Sequence, residues 1–368
     1  MEINDDIYTS TYIKLMYGNP VVEENADTFI DNTLAVSSQF IECFEKYKFN
    51  ETPYHMSKRT ILSLVKEILK EIDPTLELFN IFNKGLKEKN IIVYKKRERP
   101  KMIRRYNWNS DSMGLECLQR DDYHVSCNYI SGRVMANFPL KGNISDVMSI
   151  LHELFHYFPR FFSFVGNTGE SNEITKSLLT EFPSVYAEKY AANFLVKKGF
   201  DEKIVYSYLN EFNFIRIVDS LLCIVDLDLK NIIHRYGEIT ECNVLNDDRI
   251  TSIIKNIEEI NRVVGKPKEN YNKLINNFIF IDATKRKKVW CSISSDINEM
   301  EIESDNAFLK YIIALYYSDK LNCDQKTVND VLEFSKKVHR PLKKINENDI
   351  FLSVEKLVKK NQKRKVKV

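Results

Sequence analysis

His152, Glu153 and His156 stand in the stretch SILHELFHYF, residues 149–158. The two histidines are four positions apart, so on a helix they share one face, one turn apart. Glu153 lies beside them. In the pattern H-E-x-x-H, two imidazole nitrogens can reach one Zn²⁺ while the carboxylate reaches a water on the metal's open position. Zinc lowers the pKa of that water to about 7, and the carboxylate can take its proton. The chemistry this spacing predicts is metal-assisted hydrolysis, with Glu153 as general base and one Zn²⁺ per chain.

The other residues of the stretch, Ile150, Leu151, Leu154, Phe155 and Phe158, are apolar. A helix that is apolar nearly all round is a buried one. A buried carboxylate without a partner costs on the order of several kcal/mol. A metal and an open cleft give Glu153 a reason to be there. The plain alternative is a chance pattern, with the histidines satisfied inside a core.

A third ligand is needed, and four acids downstream are candidates: Glu170, Glu173, Glu181 and Glu188. Glu170 and Glu173 lie in the polar run GNTGESNE, which reads as a loop and helix cap. LLTEFPSVYAEKYAANFL (178–195) reads as a second, largely buried helix that starts or kinks near Pro183. Glu181 and Glu188 are seven positions apart and so share a face. Spacing alone does not choose between them.

Elements must hold these groups in place. YHVSCNYI (123–130) and RVMANFPL (133–140) are rich in β-branched and aromatic residues, with Ser131-Gly132 between them at hairpin spacing. Asn143 or Ser145 can cap the histidine helix, Asp146 suits its first turn, and Pro159 is expected to end it at Phe158. Upstream, a helix over 57–73 begins at Ser57, another runs from Asp73-Pro74 to about Lys89, and 91–96 is a short strand. Residues 97–114 are polar and basic and read as a loop. Downstream helices are expected from about 172 to a C-terminus at Gly199, then over 202–235, 247–263, 268–278, 304–321, 325–338 and 347–360.

The 368 residues suffice for one large core or two domains. The expected fold is mainly α, with a helical region over 1–110, a catalytic region over 111–358 packed with it as one unit, and a basic tail, 359–368, read as a frayed, solvated end. With 10 Gly and 9 Pro, the chain has few turns of special geometry and favours long helices. A net charge of +2 gives no reason to expect a nucleic-acid partner. The seven Cys include no C-x-x-C pair, so neither a zinc ribbon nor a dithiol site is indicated. No signal peptide or membrane-spanning run is visible, which points to a cytoplasmic protein. Oligomeric state is not legible.

Three consecutive features resemble the thimet oligopeptidase and oligoendopeptidase F family of zinc metallopeptidases. These are the strand pair NYISGRVMANFPLKGNISDVMSIL, then H-E-x-x-H, then Glu181 in the context Glu181-Phe182-Pro183-Ser184, 25 positions after His156. The similarity spans residues 120–195. It implies a helical zincin with a cleft between helical halves, cleavage of oligopeptides, and zinc held by His152, His156 and Glu181. Glu188 would then be an acceptor for a zinc-bound histidine or a packed acid. The family stabilises the oxyanion with tyrosines on a helix near the C-terminus. The matching stretch is NAFLKYIIALYYSDKL (306–321), which offers Tyr316 or Tyr317, with Tyr311 as a further alternative; aromatic packing in a core explains them equally well.

Two departures stand out. Phe155 occupies the place of the family's Gly before the second His, and the family's Gly- and His-containing loop before the tyrosines is not evident. The chain is also shorter than typical members. These features motivate two other readings: a weakly active or inactive zincin-fold binding protein, or a zincin effector that cuts one protein substrate.

Overall fold

The computed structural model describes residues 10, 12, 23–47, 54–108, 126–130, 133–165, 179–236, 248–264, 309–338 and 346–365. Among the described residues the fold is mainly helical, with one small sheet. Among the described residues no helix is long and apolar enough to cross a membrane. Its elements are α1 (Glu23–Lys46), α2 (Lys58–Ile72), α3 (Glu77–Glu88), β1 (Ile91–Lys95), α4 (Arg99–Trp108), β2 (Ser126–Ile130), β3 (Arg133–Leu140), α5 (Ser145–Val165), α6 (Glu181–Lys197), α7 (Glu202–Tyr236), α8 (Asp248–Val264), α9 (Leu309–Asp319), α10 (Gln325–Val338) and α11 (Glu347–Lys365). The expected helix over 268–278 lies outside the described residues, as do Glu170 and Glu173.

The chain forms two compact units, each discontinuous in sequence. One comprises Met1–Phe49 and Asn210–Ile313, the other Asn50–Leu209 and Ala314–Val368. In the first, α1 and α8 pack together, with Asn256 Nδ2 donating to Ser38 Oγ at 3.3 Å. Phe44 meets Phe214 edge-on at 6.2 Å, and the Asn210 amide donates to the Cys43 and Tyr47 carbonyls near the end of α1.

The second unit holds the sheet and the histidine helix. Ser57 caps α2 by accepting from the Thr60 N–H at 3.0 Å. Ile61, Leu64, Val65, Ile68, Leu69 and Ile72 form its buried face. Asp73 ends α2 and its carboxylate then accepts the Thr75 and Leu78 N–H groups, which turns the chain into α3. The segment read as a loop at 97–114 is instead helical over Arg99–Trp108. Pro100 sits in the first turn, where no donor is needed, and Lys, Met and Arg are good helix formers.

The sheet order is β1-β3-β2, with β1 parallel and β2 antiparallel to β3. The hairpin pairs Cys127 with Ala136 and Ile130 with Arg133. Val134 to Leu140 are all buried, as a strand covered on both faces must be. After β3, Gly142 adopts φ +88°, and the Lys141, Gly142 and Asn143 N–H groups converge on the Asp146 carboxylate. That acid at the start of α5, with Asn143 Oδ1 accepting the Ser145 N–H, satisfies the helix's entry.

Pro159 does not end α5, which continues to Val165. A proline in a helix removes the N–H that would bond the carbonyl four residues back, here that of Phe155. Ser335 of α10 supplies the missing donor: its hydroxyl bonds the Phe155 carbonyl at 3.0 Å. Both residues are fully buried. The helix survives its proline because a neighbouring helix satisfies the freed acceptor. Pro183, by contrast, lies in the first turn of α6 and breaks nothing. Gly199, at φ +89°, closes α6 where expected.

Helices α5 and α6 pack along one another, and α10 packs on both. Lys189 of α6 donates to the Ser318, Asp319 and Leu321 carbonyls, capping the end of α9 with a cation. The segment read as a frayed tail from 359 is helical to Lys365, because Lys360 and Arg364 pair with Asp330 of α10, both at 2.9 Å.

Candidate metal centre

His152 and His156 project from one face of α5, and Glu181 stands at the first position of α6. The crossing of these two helices brings the three together. Glu181 Oε2 lies 3.3 Å from His152 Nε2 and 3.3 Å from His156 Nε2. One donor atom from each residue lies within 4.8 Å of the other two, so this His/His/Glu group could hold a metal ion. The Glu181 oxygen is buried, yet neither approach meets hydrogen-bond geometry. His152 Nε2, His156 Nε2 and Glu181 Oε2 thus stand close around one point.

Glu188 is not part of that group. Its Oε1 lies 2.7 Å from His152 Nδ1, on the far side of the ring, and its side chain is 2% exposed. A carboxylate this close is an ionic partner for the ring, although the approach does not meet hydrogen-bond geometry. Seven positions apart on one helix, the two acids thus reach opposite nitrogens of the same imidazole. Glu153 Oε1 lies 3.9 Å from His152 Nε2. Glu153 and Glu181 keep side-chain exposures of 15% and 18%, against 10% and 7% for His152 and His156.

The electrostatics follow from this crowding. Burial opposes a charge on His152, but Glu188, Glu181 and Glu153 outweigh it and push its pKa up to about 10. Burial also raises Glu181, but His156 and His152 overcome that and hold its carboxyl well below the usual range. Glu153 remains raised by burial, although His152, His156 and Arg160 pull against the shift.

Tyr316 and Tyr317 are both buried. The Tyr317 ring packs edge-on against Phe182, the neighbour of Glu181, at 6.1 Å and tilts against Phe351 at 6.3 Å. The Tyr316 phenol accepts a hydrogen bond from Lys320, whose ammonium also lies 3.8 Å from its ring centroid. Tyr311, intermediate in exposure, has Arg216 over its ring at 5.2 Å. Phe155 is a core residue with no exposed surface, and its carbonyl is the one served by Ser335.

Two residues at the site escaped the sequence reading. Ser184 Oγ lies 3.1 Å from His156 Nε2, one turn after Glu181. Arg160 is 8% exposed; one of its terminal nitrogens donates to the Cys127 carbonyl of β2, and its Nε is buried without a hydrogen-bond partner. A signal was present for Arg160. It follows Glu153 by seven positions and His156 by four, on the same face, and is as out of place in an apolar helix as Glu153.

No protein-family model, curated protein or solved structure matches the chain.

Proposed function

We propose that the protein is a zinc-dependent metallopeptidase of the zincin type, acting on oligopeptides, as its resemblance to the thimet oligopeptidase family implies. The observation that carries the reading is the buried Glu181 oxygen placed evenly between two histidine Nε2 atoms, with Glu153 beside them. Two nitrogens and one carboxylate oxygen are a donor set that suits Zn²⁺ and leaves a position open for chemistry. His152, His156 and Glu181 would hold the ion, with Glu188 fixing the His152 ring. When bound, zinc supplies Lewis acidity that polarises the scissile carbonyl and acidifies water.

The chain's own groups do the rest. Glu153 accepts the proton of the attacking water as its oxygen bonds to the carbonyl carbon. The same carboxyl then delivers that proton to the amine nitrogen as the C–N bond breaks. Tyr316 or Tyr317 donates its phenol proton to the developing oxyanion. The peptide lies extended and adds a strand to the edge of β2.

The test is Glu153→Gln. It keeps the proposed ligands and removes the base, so bound zinc should match the parent while cleavage of a quenched peptide library disappears. Retained turnover in that variant, or no chelator-sensitive cleavage by the parent protein, overturns the reading.

A further inference from the structure

The two outer strands of the sheet are closed in different ways. On β1, Lys58 donates to the Val93 carbonyl and Glu98 accepts the Lys95 N–H at 3.0 Å, so side chains occupy the outward backbone groups at both positions. Such blunting is how sheets avoid unwanted pairing. On β2 the outward groups can be identified from β3. The Ala136 N–H bonds the Asn90 carbonyl at 2.8 Å, on the side of β1 and away from β2. The facing pair Cys127–Ala136 is therefore a non-hydrogen-bonded one, and the Cys127 N–H and C=O point away from β3. Pairs alternate in kind, so those of Tyr129 point the same way.

Arg160 takes one of these outward groups. Its guanidinium, nine-tenths buried, donates to the Cys127 carbonyl from α5, one turn beyond His156. Helix α5 also packs directly on β2. The bond thus joins the peptide-accepting edge to the helix that carries His152, Glu153 and His156.

We infer that Arg160 is a positioning residue that sets the register of the bound peptide, by tying the Cys127 carbonyl to α5 so that substrate pairs with the outward groups of Tyr129. This rests on the peptidase reading with edge pairing. The consequence is specific. With the Cys127 carbonyl occupied, an extended substrate finds its anchoring pair at Tyr129, at a fixed distance along β2 from the site. Losing the tether lets the strand drift and the peptide slip, which weakens productive binding while the reacting groups stay in place.

The experiment compares Arg160→Met, similar in shape but without a donor, with Arg160→Lys, which restores one. Hydrogen exchange of residues 126–130 is read without substrate, and KM, kcat and bound zinc are read with a quenched extended peptide. R160M is expected to speed exchange across β2 and raise KM, each about tenfold, the size of one charged hydrogen bond, with bound zinc unchanged. R160K is expected to return exchange and KM to near the parent values. Should R160M not fold, Arg160→Gln, polar but shorter, replaces it with the same expectations. Unchanged exchange in 126–130, a KM that does not move, or a KM in R160K as high as in R160M overturns the inference. If the parent cleaves peptides and R160M leaves KM unmoved, this inference alone fails. If the parent cleaves nothing, the peptidase reading fails, and the exchange measurement still reports whether the tether exists.

Discussion

Ser335 is the residue whose removal tests the construction of the site helix most directly. Its hydroxyl donates to the Phe155 carbonyl at 3.0 Å, the acceptor that Pro159 leaves without an in-helix donor. Neither Ser335 nor Phe155 has exposed surface, so water cannot replace the bond. A buried acceptor stripped of its donor costs about 1–3 kcal/mol. Ser335→Ala should therefore lower the opening free energy of α5 around Phe155 by that amount. Native-state hydrogen exchange of the amides at 155–163 would speed about fivefold to 150-fold. Because Phe155 lies in the turn between His152 and His156, zinc affinity should fall as well. The decisive comparison is made in a Pro159→Ala background. There the restored N–H of residue 159 can bond the Phe155 carbonyl, and the same Ser335→Ala change should cost about 1 kcal/mol less or better. Equal costs in the two backgrounds, or exchange in Ser335→Ala indistinguishable from the parent, would refute the idea that α10 repairs the proline break.

Two further outcomes follow from the charged groups. Glu188→Gln keeps the three proposed ligands but loosens the His152 ring, so zinc affinity measured against a chromogenic chelator should drop about 10- to 100-fold; Glu181→Gln should drop it further, and the reverse order would exchange their roles. Asp330 is drawn two ways: burial opposes its ionisation, but Lys360 and Arg364 outweigh it and hold its carboxyl below the usual range. A carboxyl depressed by folding adds stability that is complete above its unfolded pKa and is lost as pH falls through the folded one. The Tm difference between the parent and Asp330→Asn should thus be constant from pH 7 to pH 5 and shrink below about pH 4. The Asp330 side chain is 28% exposed and its partners Lys360 and Arg364 also reach solvent, so screening should keep the difference below about 1 kcal/mol. A difference that grows on acidification would contradict this.

Much of the local structure could be read from one-dimensional pattern. The Ser57 cap and the apolar stripe of α2, the Gly199 terminus of α6 and the hairpin partners of β2 and β3 depend on contacts a few residues apart. Their signals are therefore local too. Two of the errors have a common cause. Pro159 reads as a helix stop because its lost hydrogen bond is local, whereas the Ser335 repair is 180 positions distant in sequence. The tail beyond 359 reads as frayed because its lysines look solvated, whereas Asp330, which pairs with them, is on another helix. In each case a distant side chain satisfied a group that looked unsatisfied or unpaired.

The candidate site divides along the same line. Sequence by itself determined that the two histidines share one helical face, with Glu153 beside them, because the spacing of four is a property of the helix alone. It also narrowed the third acid to Glu181 and Glu188, since positions seven apart occupy one face. Spacing left them tied and the family resemblance favoured Glu181; the tertiary structure gathers Glu181, and not Glu188, with the two histidines. The angle and offset at which α6 crosses α5 put Glu181 against both Nε2 atoms and Glu188 against Nδ1 of His152. That offset comes from side-chain packing across the helix interface, which no pattern within either helix encodes. The same holds for Arg160: its face was written in the sequence, but its partner, the outward carbonyl of Cys127, exists only once β2 lies beside α5.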